Sequence, residues 1–208
     1  MKTCILIIAF VTLYTVAPAQ TYNLHQLVKK NKLTPSKAMP KPFTDGGRKA
    51  VASSRITWIT GKNFTTGTID IDLRGKDELQ NSFVGIAFHA IDTNTYDAVY
   101  FRPFNFRAEN NERRIHAVQY MSVPDFDWQR LRTEQNGIYE KAVTPAPDPN
   151  DWFHARIVVT TKEIIVFVNN ATEPSLTVTK LNTRTSGHIG LWSNGLPGHF
   201  ANLTITPD

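Results

Sequence analysis

The stretch Gly67-Thr68-Ile69-Asp70-Ile71-Asp72-Leu73-Arg74 decides the fold. Ile69, Ile71 and Leu73 alternate with Thr68, Asp70 and Asp72, the pattern of a strand with one dry face and one wet face. The same alternation runs outward from it. Val84, Ile86 and Phe88 alternate with Phe83, Gly85, Ala87 and His89. Asp92-Thr93-Asn94-Thr95 reads as a turn, Tyr96 to Phe106 as a long aromatic strand, and Arg114 to Met121 as the next. Asp125 to Pro149 reads as a long loop broken by Gly137, Pro145, Pro147 and Pro149. Further strands follow at His154 to Thr160, Glu163 to Val168, Ser175 to Leu181, Gly187 to Ser193 and Phe200 to Ile205. Almost no segment has helical period, so the expected class is all-β, two packed antiparallel sheets, with a closed barrel as the structural alternative.

The N-terminus has the three parts of an export signal: Lys2, an apolar run from Ile5 to Val16, and the small residues Ala17-Pro18-Ala19. Residues 1–19 are therefore expected to be a signal peptide, and the protein periplasmic or secreted. The apolar run is shorter than the roughly 20 residues that span a bilayer. Cys4, the single cysteine, falls inside this leader, which leaves the mature chain without a disulfide, a thiolate metal site or a cysteine nucleophile. Residues 20–44, with Pro35, Pro40 and Pro42, read as an extended segment lying across one domain formed by residues 45–208.

The chain carries a formal net charge of +5. Its basic residues are scattered, apart from Lys29-Lys30-Asn31-Lys32 and Arg113-Arg114, and are not interleaved with aromatics, so nucleic acid is not an expected partner. No membrane span is expected in the mature chain. Histidine spacings do not match a zinc site, and neither a phosphate-binding glycine loop nor a Gly-x-Ser-x-Gly elbow occurs. No cofactor or metal is expected from these patterns, although Asp92, Asp97, Asp125 and Asp127 are oxygen ligands of the kind calcium takes.

Three segments, Gly67 to Asp72, Phe83 to Phe88 and Tyr96 to Pro103, together resemble the middle strands of the concanavalin A-like lectin/glucanase superfamily. Trp152-Phe153-His154-Ala155-Arg156-Ile157 followed by Ile165-Val166-Phe167-Val168-Asn169, and Gly187-His188-Ile189-Gly190-Leu191-Trp192, extend the resemblance toward its 3-keto-disaccharide hydrolase-like and laminin-G-like branches. It covers roughly Phe43 to Ile205. It implies a two-sheet antiparallel jelly-roll sandwich whose concave face carries a carbohydrate site. The resemblance admits a binding module, a glycoside hydrolase acting on a 3-keto or ordinary saccharide, or a laminin-G-like module for a protein partner.

If the aliphatic residues face between the sheets, Tyr100, Arg102, Gln119, Arg156, His188 and Trp192 point outward. Flat rings and planar polar groups of this kind suit the C–H faces and hydroxyls of a sugar. Trp128, in the long loop, joins them as an exposed aromatic. The alternative for Arg102 is an ion pair with Asp70, Asp72 or Asp97; for Trp192, a place in the core. Trp58 and Trp152 are assigned to the core or to strand ends. For catalysis, Asp70, Asp72 and His89 are the candidate acids or bases; the alternatives are solvated or arginine-paired carboxylates for the aspartates and a satisfied or paired histidine for His89. The Glu-x-Asp-x-x-Glu strand of laminarinase-type relatives is absent, because the segment Asp70 to Arg74 lacks both glutamates.

Overall fold

The computed structural model describes residues 18–208, so Cys4 and the apolar leader lie outside the described residues. The strands in chain order are β1 (Gln20–Tyr22), β2 (Leu33–Pro35), β3 (Lys41–Asp45), β4 (Arg48–Ser53), β5 (Ile56–Phe64), β6 (Gly67–Arg74), β7 (Ser82–Ala90) and β8 (Tyr96–Phe101). They continue with β9 (Val118–Val123), β10 (Glu140–Lys141), β11 (Phe153–Val159), β12 (Glu163–Val168), β13 (Leu176–Thr179), β14 (Gly187–Gly195) and β15 (Gly198–Pro207). Three short α-helices interrupt them: α1 (Leu24–Lys29), α2 (Asn111–Arg114) and α3 (Trp128–Glu134).

Two antiparallel sheets result. One runs β13-β12-β11-β6-β15-β4-β3, with β1 added on β15; the other runs β10-β9-β8-β7-β14-β5-β2. Neighbours in the sheets are mostly distant in sequence, as in a jelly roll, and the architecture is the concanavalin A-like sandwich. The aliphatic side of each strand faces the other sheet: Ile69, Ile71 and Leu73 of β6 meet Val84, Ile86, Val99 and Leu191, all fully buried. Phe101 of one sheet and Phe153 of the other pack edge to face with centroids 5.0 Å apart, a geometry that suits the ring quadrupoles.

Local structure departs from the strand reading in three places. Pro103 ends β8 and starts a 3-10 turn (Pro103–Asn105), because proline supplies no N–H to continue a ladder. The stretch expected as a loop holds α3, capped by the Asp127 side chain on the Arg130 N–H, and β10, which pairs with β9. Residues 20–44 are woven into both sheets through β1, β2 and β3; Pro35 and Pro42 sit on the edge strands β2 and β3, where a missing donor costs no central ladder bond.

A bulge in β7 reverses one side chain. Phe88 and His89 together stand opposite Ile189 of β14, and His89 takes a left-handed φ of 48°. Strict alternation would send His89 outward. Instead it is fully buried, stacked on Phe64, with Nδ1 3.1 Å from Asp97 Oδ2 and Nε2 2.6 Å from the Thr65 carbonyl.

Candidate functional site

The outer face of the seven-stranded sheet carries the site. Register places Ile56, Trp192, Gly85, Tyr100, Gln119 and Glu140 in one row across β5, β14, β7, β8, β9 and β10. Residues directly opposite in antiparallel pairs point to the same side, so the row presents two rings, an amide and a carboxylate in sequence. Gly85 is required in the middle: a Cβ there would lie 2.1 Å from the Val99 carbonyl oxygen and 2.8 Å from Tyr100 Cβ. Across it the Tyr100 and Trp192 rings meet at 4.8 Å. The indole Nε1 donates to Tyr96 Oη at 3.1 Å, which fixes the ring.

Arg102, the residue after the end of β8, is buried at 4% exposure. Nη2 donates to Tyr100 Oη (2.6 Å) and Gln119 Oε1 (2.5 Å), and Nη1 donates to the His116 carbonyl (2.9 Å) and Glu140 Oε2 (3.3 Å). Tyr100 Oη itself donates to Gln119 Oε1 at 2.6 Å. Burial pushes the Tyr100 hydroxyl up to about 12, so it stays protonated and able to donate. Arg132, from α3, grips Glu140 through Nε (3.0 Å) and Nη2 (2.7 Å), the forked geometry that suits guanidinium and carboxylate. Its guanidinium also lies 5.5 Å over the Trp128 ring.

These groups wall a cavity of about 560 Å³, within the roughly 300–1,000 Å³ range of small-molecule sites. Phe83, Phe104, Tyr100, Trp128 and Trp192 supply its rings, Arg102, Arg113 and Arg132 its charge, and His116 an imidazole. Arg113 is held by Asn105 Oδ1 and the Phe104 carbonyl. His116 Nδ1 is buried 2.8 Å from Glu140 Oε1 but off the line of a hydrogen bond, and the imidazole lines the cavity. Burial, together with Arg132 and Arg102, outweighs Glu140 and holds the His116 imidazole below its ordinary pKa. It is therefore neutral at neutral pH. Among the described residues no carboxylate lines the cavity directly; Glu140 is bonded by Arg102 and Arg132, which do.

Of the residues named from sequence, Tyr100, Arg102, Trp128 and Trp192 line this cavity, and Gln119 lies beneath it, bonded to two of them. Arg102 pairs with Glu140; Asp70 and Asp72 belong to the other sheet and Asp97 is engaged elsewhere. Trp58 packs with the outer-face cluster instead of the inter-sheet core. His188 is exposed at the far end of β14, 6.4 Å from Trp58 between ring centroids.

Arg156, Asp70 and Asp72 lie on the outer face of the eight-stranded sheet. Arg156 Nε donates to Asp70 Oδ1 at 2.8 Å, and His154 bridges Asp72 (2.9 Å) and Asp70 (3.1 Å). Asn202 donates to Asp72 at 2.7 Å. Trp152 is on that face too, with the guanidinium groups of Arg48 and Arg74 at 4.8 and 4.9 Å from its ring, and not in the core.

The four aspartates considered for calcium are not brought together. Asp92 accepts from the turn N–H groups of Asn94 and Thr95, Asp127 caps α3, and Asp97 accepts from Arg184, Asn182 and Tyr120 beside His89. Among the described residues no group of three His, Cys, Asp or Glu side chains gathers as a metal site.

Glu140 and His116 carry no signal in the sequence, Arg113 stands out there only as part of a basic pair, and Arg132 only as the end of the loop expected to rim the site. The missing signal was the short β10, whose Glu140 only register with Gln119 brings to the row.

The fold is a concanavalin A-like sandwich with an aromatic, arginine-lined cavity on one outer face. Residues 23–206 match the model of the 3-keto-alpha-glucoside-1,2-lyase-like domain, and the chain belongs to that family. No curated protein matches it. Among solved structures, it is similar to the carbohydrate-binding module CBM66 from Bacillus subtilis at 14% identity (84% of this chain, 96% of that one; TM-score 0.57). A protein with a galectin-like fold, also from Bacillus subtilis, shares 12% identity (94% and 98%; TM-score 0.61). A glycosidic hydrolase shares 12% identity (94% and 99%; TM-score 0.55). At such identities these likenesses describe the fold.

Proposed function

We propose that this is an exported carbohydrate-active protein that cleaves 3-keto-α-glucosides by elimination, in the outer-face cavity of the seven-stranded sheet, taken as the concave face. One observation carries the reading: a neutral imidazole stands among three guanidinium groups and beside a Tyr–Trp platform, and among the described residues no carboxylate lines the cavity. Ordinary glycoside hydrolysis uses two carboxyl groups flanking the bond. A ketone at C3 removes that need, because it acidifies the C2–H bond.

His116 Nε2 takes the C2 proton, and the C–H electron pair becomes the C2–C3 double bond of an enolate with its charge on O3. Guanidinium groups fixed before the reaction stabilise that oxygen as charge develops on it. The enolate pair then forms the C1–C2 double bond, the C1–O bond breaks, and the aglycone oxygen takes a proton from water and leaves as an alcohol. His116 returns its proton to solvent. No water is added to the sugar. The Tyr100–Trp192 platform holds the apolar face of the ring.

A second reading, binding without turnover, is favoured by the Nη groups of Arg102, which are fully engaged with protein acceptors. Export rests on the leader pattern of residues 1–19; among the described residues no helix is long and apolar enough to cross a membrane.

The test is incubation of the full chain with methyl 3-keto-α-glucoside in heavy-oxygen water. Methanol release with an unsaturated ketone that carries no oxygen label at C1 supports elimination, a saturated 3-keto sugar labelled at C1 would mean hydrolysis, and binding with no product would leave the binding reading.

A further inference from the structure

We infer that the saccharide this cavity takes is acidic, and that a carboxylate or sulfate group on the sugar meets the Arg113 guanidinium. This rests on the reading of the cavity as a sugar site and adds the charge of the ligand. Three guanidinium groups line the cavity, those of Arg102, Arg113 and Arg132. Glu140 pairs with Arg102 and Arg132. Among the described residues Arg113 has no carboxylate partner, so its charge stands uncompensated.

The acceptors that hold Arg113 are neutral: Nε donates to Asn105 Oδ1 at 3.2 Å and Nη2 to the Phe104 carbonyl at 2.7 Å, while Nη1 makes no protein hydrogen bond. Asn105 is itself buried, and its Nδ2 donates to the His116 carbonyl at 3.2 Å, which keeps the amide oxygen toward Arg113. The guanidinium is thus anchored on the 3-10 turn after β8, half-buried in a cavity walled by Phe83 and Phe104. Glu112, exposed on the same α2, acts on Arg132 and His116 only through space. Taking a charge from water into such a wall is costly unless an opposite charge meets it, and a planar guanidinium with an open edge fits the paired oxygens of a carboxylate or sulfate. A neutral hydroxyl accepts a hydrogen bond there and leaves the surplus positive charge in place. An anion on Arg113 leaves the stabilisation of O3 to Arg102 and Arg132.

The experiment is calorimetry on the full chain with methyl α-glucuronide, methyl α-glucoside 6-sulfate and methyl α-glucoside, and with sodium sulfate as an anion that lacks the sugar. The expected result is an affinity about ten- to a hundredfold higher for a charged sugar than for the neutral one, the worth of one charge-assisted hydrogen bond. The tighter of the two charged sugars names the anion. Arg113→Gln should erase the preference and Arg113→Lys should keep part of it. Lys162→Gln, which removes an exposed positive charge between β11 and β12, should leave it intact. Thermal melts check that the variants fold, and the wild-type comparison decides even where one does not. Equal affinity for charged and neutral sugars, binding of none of them, sodium sulfate binding as tightly as the charged sugars, or an undiminished preference in folded Arg113→Gln would overturn the inference. If neither methyl 3-keto-α-glucoside nor its glucuronide counterpart turns over but the preference through Arg113 holds, the elimination reading fails and the acidic ligand stands. Turnover of the neutral 3-keto compound with no preference for charge would give the reverse.

Discussion

Arg102 and Glu140 meet at 3.3 Å across 38 residues of chain, both almost wholly removed from solvent. Glu140 also takes both bonds from Arg132, so this one carboxylate is shared by two guanidinium groups and ties α3 to the sheet face. Removing one partner of a buried pair strands the other charge, at a cost of about 3–5 kcal/mol. Glu140→Ala should lower the urea midpoint by an amount of that order, with Glu140→Gln intermediate because an amide still accepts one donor. An unchanged midpoint for Glu140→Ala would show that water replaces the carboxylate freely.

Gly85 governs the Tyr100–Trp192 ring pair through the space it leaves empty. Its added Cβ would strike backbone on the neighbouring strand, where no rotamer change gives relief. Gly85→Ala should therefore cost at least the roughly 1–3 kcal/mol of ordinary overpacking and separate the Tyr100 and Trp192 rings. Near-ultraviolet circular dichroism would register the lost ring coupling, and methyl α-glucoside affinity should fall with it.

The opposite face predicts a pH effect of definite sign. His154 donates from both ring nitrogens, to Asp72 and Asp70, which requires the imidazolium form. The Asp72 hydrogen bond, aided by Asp70 and opposed by burial, raises the His154 pKa; burial opposes the fall of the Asp72 pKa, but His154 and Asn202 outweigh it. A raised histidine contributes stability that is complete below its unfolded value near 6.5 and lost as pH rises through the folded value. A lowered aspartate contributes stability that is complete above about 3.9 and lost as pH falls through its folded value. The wild-type advantage over His154→Asn, measured by urea unfolding, should be largest between those limits and shrink toward pH 9. A difference that grows with pH would reverse the assignment.

Period two was enough to divide inward from outward residues along β8, β9, β11 and β14, and so to turn Tyr100, Arg102, Gln119 and Trp192 outward. It says nothing of which sheet a strand joins. Arg156 satisfies the same alternation yet lies on the opposite side of the molecule, because β11 pairs with β6 and not with β8. His89 escaped for another reason: one extra residue in a bulge turns its side chain inward, and β-bulges leave little trace in hydrophobic alternation. Glu140 escaped because a two-residue strand carries no period at all. The candidate site was legible where long strands built it and illegible where short elements closed it.

The chemistry itself predicts a pH profile. Burial holds His116 below the ordinary histidine value, with Arg132 and Arg102 adding to the effect and Glu140 opposing it, so the neutral base persists into mildly acid solution. For methyl 3-keto-α-glucoside, kcat/KM should be flat through neutrality and fall only at pH below about 6.5, the ordinary histidine value. His116→Asn should remove that acid limb and lower kcat/KM by about a hundred- to ten-thousandfold, the usual contribution of a positioned base. Deuterium at C2 of the substrate should slow the wild-type reaction where proton removal limits the rate. An acid limb that survives in His116→Asn at near wild-type rate would move the base elsewhere, whereas loss of the limb together with the rate ties proton removal to this imidazole.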